Sequence, residues 1–376
     1  MAAAVLMAGA AATLAGCAGC AGCNNNTKNT VLTNSNWYTG TSYKGIQPSF
    51  KPDEQKGFTK EVLVYDVQHD GASNNSTYSA EYRNGTFTTE FYATDYDWKT
   101  NAVFPADENA ENSTETVYYY KTELRIEVRF VMKTGAKEAT EWFSDSVVNE
   151  SYFRAAGKNL QPVFTRQVIK STSPAAYQAA KLSSTYLSVD VTYENYYDSS
   201  CSQVVSVINE AGKDEERNTH KNLGKIKNTL FDSAYLYTAI RSMKLSTDFS
   251  QTVSLFSAAN GGISDYTISG SDTPLGNEDR KNTSSALAAA KLYTPVTQDA
   301  EGNAIEDAGV PATAMEVRYT GGSLSGTVQK IWYASIVNAD NNTARCTMLK
   351  ISVPLSYNLG TLNYTLKEVK STLWNK

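Results

Sequence analysis

"KTELRIEVRF", residues 121–130, sets Leu124, Ile126, Val128 and Phe130 against Glu123, Arg125, Glu127 and Arg129 in strict alternation. A β-strand sends successive side chains to opposite faces, so this stretch reads as a strand with one wholly apolar face. The other face reads as solvated, its alternating signs keeping like charges apart along the strand. An apolar face on a sheet has to be covered, which makes the remaining elements informative.

The same two-residue period recurs in residues 61–68, 87–94, 186–193, 204–208, 314–319, 328–337 and 348–353. "HDG", "RNG", "KTG", "NGG", "TGG" and "NADNN" punctuate these runs as turn signals. "YRNGTF", residues 82–87, carries Asn-Gly and predicts a hairpin. Helical spacing is scarce. "FDSAYLYTAIRSMKL" repeats Phe231, Tyr235, Leu236, Ala239, Ile240 and Met243 at helical intervals behind a cap at Asp232 or Ser233. "SPAAYQAAKL", with Pro174 suited to a first turn, is a second candidate, and "NTSSALAAAKL", starting from Asn282 or Thr283, a third. The expected fold is mainly β: a long curved antiparallel sheet or unclosed barrel with a few covering helices.

Composition agrees. The chain of 376 residues holds 24 Tyr and only 9 Pro, with many Thr, Ser and Asn, a bias that favours strands and turns. Its net charge is −5 and no basic run stands out, which removes nucleic acid from the partners considered. Residues 58–376 read as one β-rich domain. Two charged stretches without an apolar stripe, residues 209–228 and 297–311, read as solvated insertions.

The amino-terminal end concerns address. Residues 2–15 are uncharged and mildly apolar, the length of a signal-peptide core and too short for a stable transmembrane helix. "LAGC", residues 14–17, resembles the bacterial lipobox, in which cleavage before Cys leaves the thiol to take a diacylglyceryl group. Of Cys17, Cys20 and Cys23, only Cys17 has an aliphatic residue three places before it. Residues 1–16 are therefore read as a lipoprotein signal peptide. No Lys or Arg precedes the apolar run, and a basic segment upstream of Met1 is expected. Two acyl chains would anchor the protein stably. Residues 17–57 read as the lipidated Cys and a flexible tether, and the protein as exported, facing the outside or the periplasm. An iron–sulfur reading of the three cysteines lacks the fourth Cys that such runs carry. A zinc reading lacks a second Cys pair near Cys201 or Cys346.

From about Ser144 three stretches carry a resemblance. They are "DSVVNESYFRAAGKNLQPVFTRQV"; "FDSAYLYTAIRSM", with its arginine at Arg241; and the closing run "KIWYASI", "CTMLKISVPL", "GTLNYTLKEV". Their order resembles a family of exported bacterial proteins known only as a domain of unknown function. That family is itself similar to the periplasmic lipoprotein-carrier fold, an unclosed β-barrel wrapped around helices. The resemblance implies fold and envelope location, and supplies no catalytic residues. The two charged insertions depart from the family's compact form.

Chemistry-bearing motifs are few. "GGSLSG", residues 321–326, lacks the Gly-Lys-Ser/Thr of a phosphate loop and the last glycine of a nucleophile elbow, and reads as a hairpin turn. Asp95 and Asp97 share a strand face beside Trp98, a pattern open to sugar, calcium or acid–base chemistry, or to a plain strand end. "VYYYK" and "YENYYD" are aromatic-rich strand stretches. The two histidines, His69 and His220, read as solvated. Cys201 and Cys346 are either a disulfide or two free thiols. No cofactor or metal is implied.

Three functions follow as expectations. The first is a non-enzymatic, membrane-anchored binding module for an apolar ligand or another envelope component. The second is a surface module that binds carbohydrate or an envelope protein through exposed Tyr and Trp, a reading that a surface without a coplanar aromatic row would count against. The third is a hydrolase using Asp95 and Asp97.

Overall fold

The structure, a computed structural model, describes residues 58–373 except 72–77, 109–112, 133–140, 157–158, 175–185, 227–228, 242, 244, 291, 300, 321–326, 339–342 and 356–358. The expected signal segment, Cys17 and the tether lie outside these residues, as do the "GGSLSG" turn and most of "SPAAYQAAKL".

Fifteen described strands form one sheet. The first half is a meander of β1 (Phe58–Asp70), β2 (Tyr78–Asp97), β3 (Thr114–Met132), β4 (Phe143–Ala156), β5 (Asn159–Pro174), β6 (Tyr186–Tyr197), β7 (Gln203–Glu210) and β8 (Glu216–Lys221). The second half holds β9 (Thr229–Asp232), β10 (Ser250–Ser257), β11 (Gly262–Ser271), β12 (Ala312–Tyr319), β13 (Val328–Asn338), β14 (Thr343–Pro354) and β15 (Thr361–Leu373). The halves join where β1 pairs antiparallel with β15, so the first and last strands meet in the middle of the sheet and β8 and β9 are its edges. Every pairing is antiparallel except β9 with β10. The sheet curls on its apolar face, and β9 packs against β5 without pairing to it. It is an unclosed, curved sheet.

Alternation places the core. Leu63, Tyr65 and Val67 of β1, Phe87 and Phe91 of β2, and Tyr118, Tyr120, Leu124, Ile126 and Val128 of β3 are all buried on the concave side. Aromatic rings fill it: Phe87 meets Tyr65 at 5.4 Å and Tyr364 at 5.3 Å, and Phe91 stacks on Tyr118 at 5.4 Å.

The predicted hairpin at "YRNGTF" does not form. β2 runs through it, with Arg83 opposite Glu127 and Thr86 opposite Arg125, so Asn84 and Gly85 together face one residue of β3. Asn84 takes the left-handed conformation at φ 52° as part of this bulge. Gly85 is needed because a Cβ there would lie 2.6 Å from the Val67 carbonyl oxygen of β1. Partner strands on both sides outcompete the turn that Asn-Gly favours locally.

The predicted long helix from Phe231 is also reshaped. Phe231 and Asp232 end β9, a 3-10 turn covers Ser233–Tyr235, and the helix proper, α1 (Leu236–Ile240), is a single turn and a half. Asp232 caps the turn, its Oδ1 accepting from the Ala234 N–H at 2.9 Å. The reason is burial on every side: Phe231, Tyr235, Leu236, Ala239, Ile240 and Met243 are all in the core. This segment lies inside the curled sheet and conforms to it. α2 (Asn277–Ala289) begins five residues before the expected Asn282, with Glu278 and Asp279 favourably placed in its first turn. It lies along β15, and its Asp279 accepts from Lys350 Nζ of β14 at 2.6 Å and from Thr365 Oγ1 of β15 at 3.2 Å.

Of the two expected insertions, residues 209–228 contain a strand. β8 pairs with β7 and is almost wholly exposed, so this part is solvated but ordered as a hairpin. Residues 297–311 are loop, tied by Asp299, which accepts the Glu301 and Asn303 N–H groups at 3.1 and 2.7 Å.

Candidate recognition surface

The inner face carries two buried polar features that pin the segment after β9. Asp232 Oδ2 accepts from Thr165 Oγ1 (2.7 Å), Tyr197 Oη (2.7 Å) and Asn195 Nδ2 (3.3 Å). Burial raises the pKa of this carboxyl despite those donors. At the other end, Arg241 at the C-cap of α1 forms a two-pronged ion pair with Glu61 of β1, Nη1 to Oε1 at 2.7 Å and Nη2 to Oε2 at 3.2 Å. Between the two anchors Tyr235 stacks on Phe153 at 4.5 Å. Residues 229–241 thus plug the concave side with the chain's own aromatic and aliphatic groups.

The outer face of β2–β6 holds an aromatic row that pairing register alone creates. Tyr92, Tyr119, Tyr152, Phe164 and Tyr196 are successive cross-strand partners. Ring centroids are 4.8, 5.1, 6.1 and 5.0 Å apart along the row. Neighbouring rings are tilted by 42° to 62°, so the row is a herringbone rather than a coplanar shelf. Tyr92, Tyr152 and Phe164 are half-buried, and Tyr119 and Tyr196 lie deeper.

Two residues along each strand, on the same face, lies a second row, Glu90, Lys121, Glu150, Arg166 and Glu194, alternating in sign from strand to strand. Arg166 lies 3.5 Å from Glu150 and 3.4 Å from Glu194. The rows are stitched together: Tyr119 Oη donates to Glu150 at 3.0 Å and Tyr196 Oη to Glu194 at 2.9 Å. Burial, followed by the adjacent carboxylate, pushes both phenol pKa values up, so both remain hydroxyl donors. Beyond the row, Glu115 accepts from Trp98 Nε1 (3.0 Å) and Arg154 Nη1 (2.8 Å), and Trp98 packs edge-on against Tyr96. The result is apolar ring surface bordered by hydrogen-bonding groups, a combination that suits ligands with both C–H faces and hydroxyls.

The two aromatic-rich stretches divide between faces. Tyr119 and Tyr196 join the outer row, while Tyr118, Tyr120 and Tyr197 are buried inside. Tyr92, Tyr152, Phe164 and Glu150 were not singled out in the sequence. Tyr152 and Phe164 are the lone aromatics and Glu150 the lone acidic group in the outward phase of their strands, while Tyr92 shares its phase with Tyr96; they become a row only once the register is known.

Other expected site residues are dispersed. Asp95 is exposed and accepts from Thr116 Oγ1 at 2.9 Å, while Asp97 caps the 3-10 turn Trp98–Thr100 through the Lys99 N–H at 3.0 Å. His69 is not a free turn residue: its Nε2 donates to the Leu359 carbonyl at 2.6 Å. His220 lies in β8 rather than in a loop. Cys201 is a free thiol in the β6–β7 connection, its pKa pushed up to about 12 by burial. Cys346 lies in β14 opposite Ser335 of β13. Among the described residues no group of three or more His, Cys, Asp or Glu is placed to hold a metal ion, and no helix is long and apolar enough to cross a membrane.

No family model matches the chain, and no curated protein matches it. Among solved structures it is similar to the crystal structure of a beta-barrel-like protein of a domain of unknown function, DUF1849, from Brucella abortus. The identity is 9% and the TM-score 0.44, over 84% of this chain and 98% of that one.

Proposed function

We propose that the protein is a non-catalytic binding module of the bacterial cell envelope, exported and anchored by a diacylglyceryl group on Cys17. It recognises an envelope glycan on the outer face of β2–β6. The observation that carries this reading is the in-register row from Tyr92 to Tyr196 beside the charged row from Glu90 to Glu194. The tilt of the rings presents alternating faces and edges one strand apart, and strands repeat every ~4.8 Å. A polymer whose residues have a similar length meets that repeat better than one flat ring does. Carboxylates and guanidinium groups along the border supply acceptors and donors for its hydroxyls.

An apolar ligand enclosed by the sheet is the second reading. It is disfavoured because residues 229–241 occupy the concave side and are tied down at Asp232 and Arg241. Hydrolysis by Asp95 and Asp97 is disfavoured because both carboxylates have local structural partners and Asp95 is exposed. The test is binding of the purified protein to an array of bacterial cell-wall and surface glycans, alongside native mass spectrometry. Glycan binding lost in Tyr152→Ala/Phe164→Ala supports the proposal. A co-purifying lipid with no glycan bound contradicts it.

A further inference from the structure

The hairpin of β7 and β8 forms one lip of the open sheet. Over its inner face leans the connection from β10 to β11, a 3-10 turn at Ala258–Asn260 followed by Gly261 and Gly262. Between them lies a cleft of about 230 Å³, lined by Ser206, Ile208, Asn218, His220, Ala258 and Gly261 together with Thr219. We propose that this cleft binds a single neutral sugar residue. It is a second site, on the side of the sheet opposite the aromatic row, and goes beyond the reading given above.

The lining decides the ligand class. No charged side chain contributes to it, so nothing there offsets the desolvation of an ionic ligand. Its polar side chains are a hydroxyl, an amide and an imidazole. Ser206 Oγ donates to Asn195 Oδ1 at 2.8 Å, which commits its proton and leaves lone pairs to accept. Asn218 commits one amide proton to Glu216 at 2.8 Å and keeps its carbonyl oxygen and second N–H. Ser206 and Asn218 are register partners, so these groups sit side by side. Each sugar hydroxyl both donates and accepts, and matches such a mixed array. Ile208 and Ala258 add an apolar patch for the C–H face of the ring.

His220 is held ready. Its ring packs edge-on to Phe256, at 5.2 Å and 74°, and lies against Gly262, where a Cβ would come within 3.1 Å of Cε1. Among the described residues neither of its ring nitrogens has a hydrogen-bond partner. The site is also supported from behind: Asn195, which orients Ser206, donates to Thr165 and to the sealed carboxylate of Asp232. The buried polar chain ends at the cleft. At about 230 Å³ it falls below the ~300 Å³ at which drug-sized pockets begin, which fits one ring rather than an oligosaccharide.

The test is two-dimensional NMR of the full chain titrated into the millimolar range with methyl glycosides of glucose, galactose and N-acetylglucosamine, with glucuronate as the charged control. At least one neutral glycoside is expected to shift the Ser206, Asn218 and His220 resonances. His220→Ala is expected to weaken binding about tenfold or more. Gly262→Ala, which keeps the imidazole but displaces it, is expected to act in the same direction, as is the exposed, fold-neutral Asn218→Asp. Tyr152→Ala/Phe164→Ala should leave this binding unchanged. Shifts confined to the outer row would overturn this site while supporting the outer-face reading. Preference for glucuronate, no shift at the cleft, or binding unaltered in all three cleft variants would overturn it outright.

Discussion

Arg241 and Glu61 meet in a two-pronged ion pair inside the curled sheet, 2.7 and 3.2 Å between their paired atoms, with side chains only 3% and 4% exposed. The pair ties the single helical turn of the plug to the central strand β1, and it joins residues 180 positions apart in the chain. Removing one partner leaves a buried charge unpaired, which costs about 3–5 kcal/mol, whereas an apolar pair of similar volume costs far less. Arg241→Met and Glu61→Met are each expected to lower the urea midpoint strongly. The double variant Arg241→Met/Glu61→Met should recover much of the loss, and a merely additive double variant would contradict the pairing.

Asp145 gives the fold a pH dependence. Burial raises its pKa from 3.8 to about 6, despite hydrogen bonds from Ser171 Oγ at 2.9 Å and the Thr172 N–H at 2.9 Å. A carboxyl raised in the folded state contributes its full stability below the unfolded pKa and loses it as pH climbs through the folded one. Between pH 4 and 6 the contribution of Asp145 therefore fades, by roughly 3 kcal/mol at about 1.4 kcal/mol per unit. Asp145→Asn, which has no charge to bury, should flatten the urea-midpoint profile in this window and match or exceed the parent at pH 7. An unchanged slope would show that Asp145 is not its source.

Gly85 tests the bulge that replaced the hairpin. A methyl group there meets the Val67 carbonyl oxygen at 2.6 Å and the Val67 Cβ at 2.8 Å, so β1 would have to move. Gly85→Ala is expected to destabilise by about 1–3 kcal/mol in thermal or urea unfolding. A neutral effect would mean that β2 turns at Asn-Gly after all.

Cys17 tests the address. Cys17→Ser should abolish incorporation of a radiolabelled fatty acid and release the protein from membranes, while Cys20→Ser and Cys23→Ser should do neither. Persistent labelling of Cys17→Ser would place the anchor elsewhere.

The strand content was legible because alternation is a local property, and "KTELRIEVRF" carries it without interruption. What local pattern does not carry is who pairs with whom. Glu61 lies in the apolar phase of its own strand with Leu63, Tyr65 and Val67, which signals a buried carboxylate; its cation lies far along the chain and is not legible. The segment from Phe231 shows helical spacing, yet apolar groups on all sides let the surrounding sheet shorten it to α1. Asn84-Gly85 signals a left-handed residue, which a bulge uses as readily as a turn. The outer row was the least legible feature, since each strand contributes one ordinary aromatic residue and only the cross-strand register lines them up.

On the proposal, recognition occurs on the outside of a plugged sheet. Binding of wild type and Tyr152→Ala/Phe164→Ala to the same cell-wall and surface glycans tests it most directly, with urea unfolding of both proteins as the control. The expected result is binding by the wild type and its loss in the variant, with both proteins folded. Equal binding by the two, or no glycan bound and a lipid carried in the interior of the wild type, would contradict it.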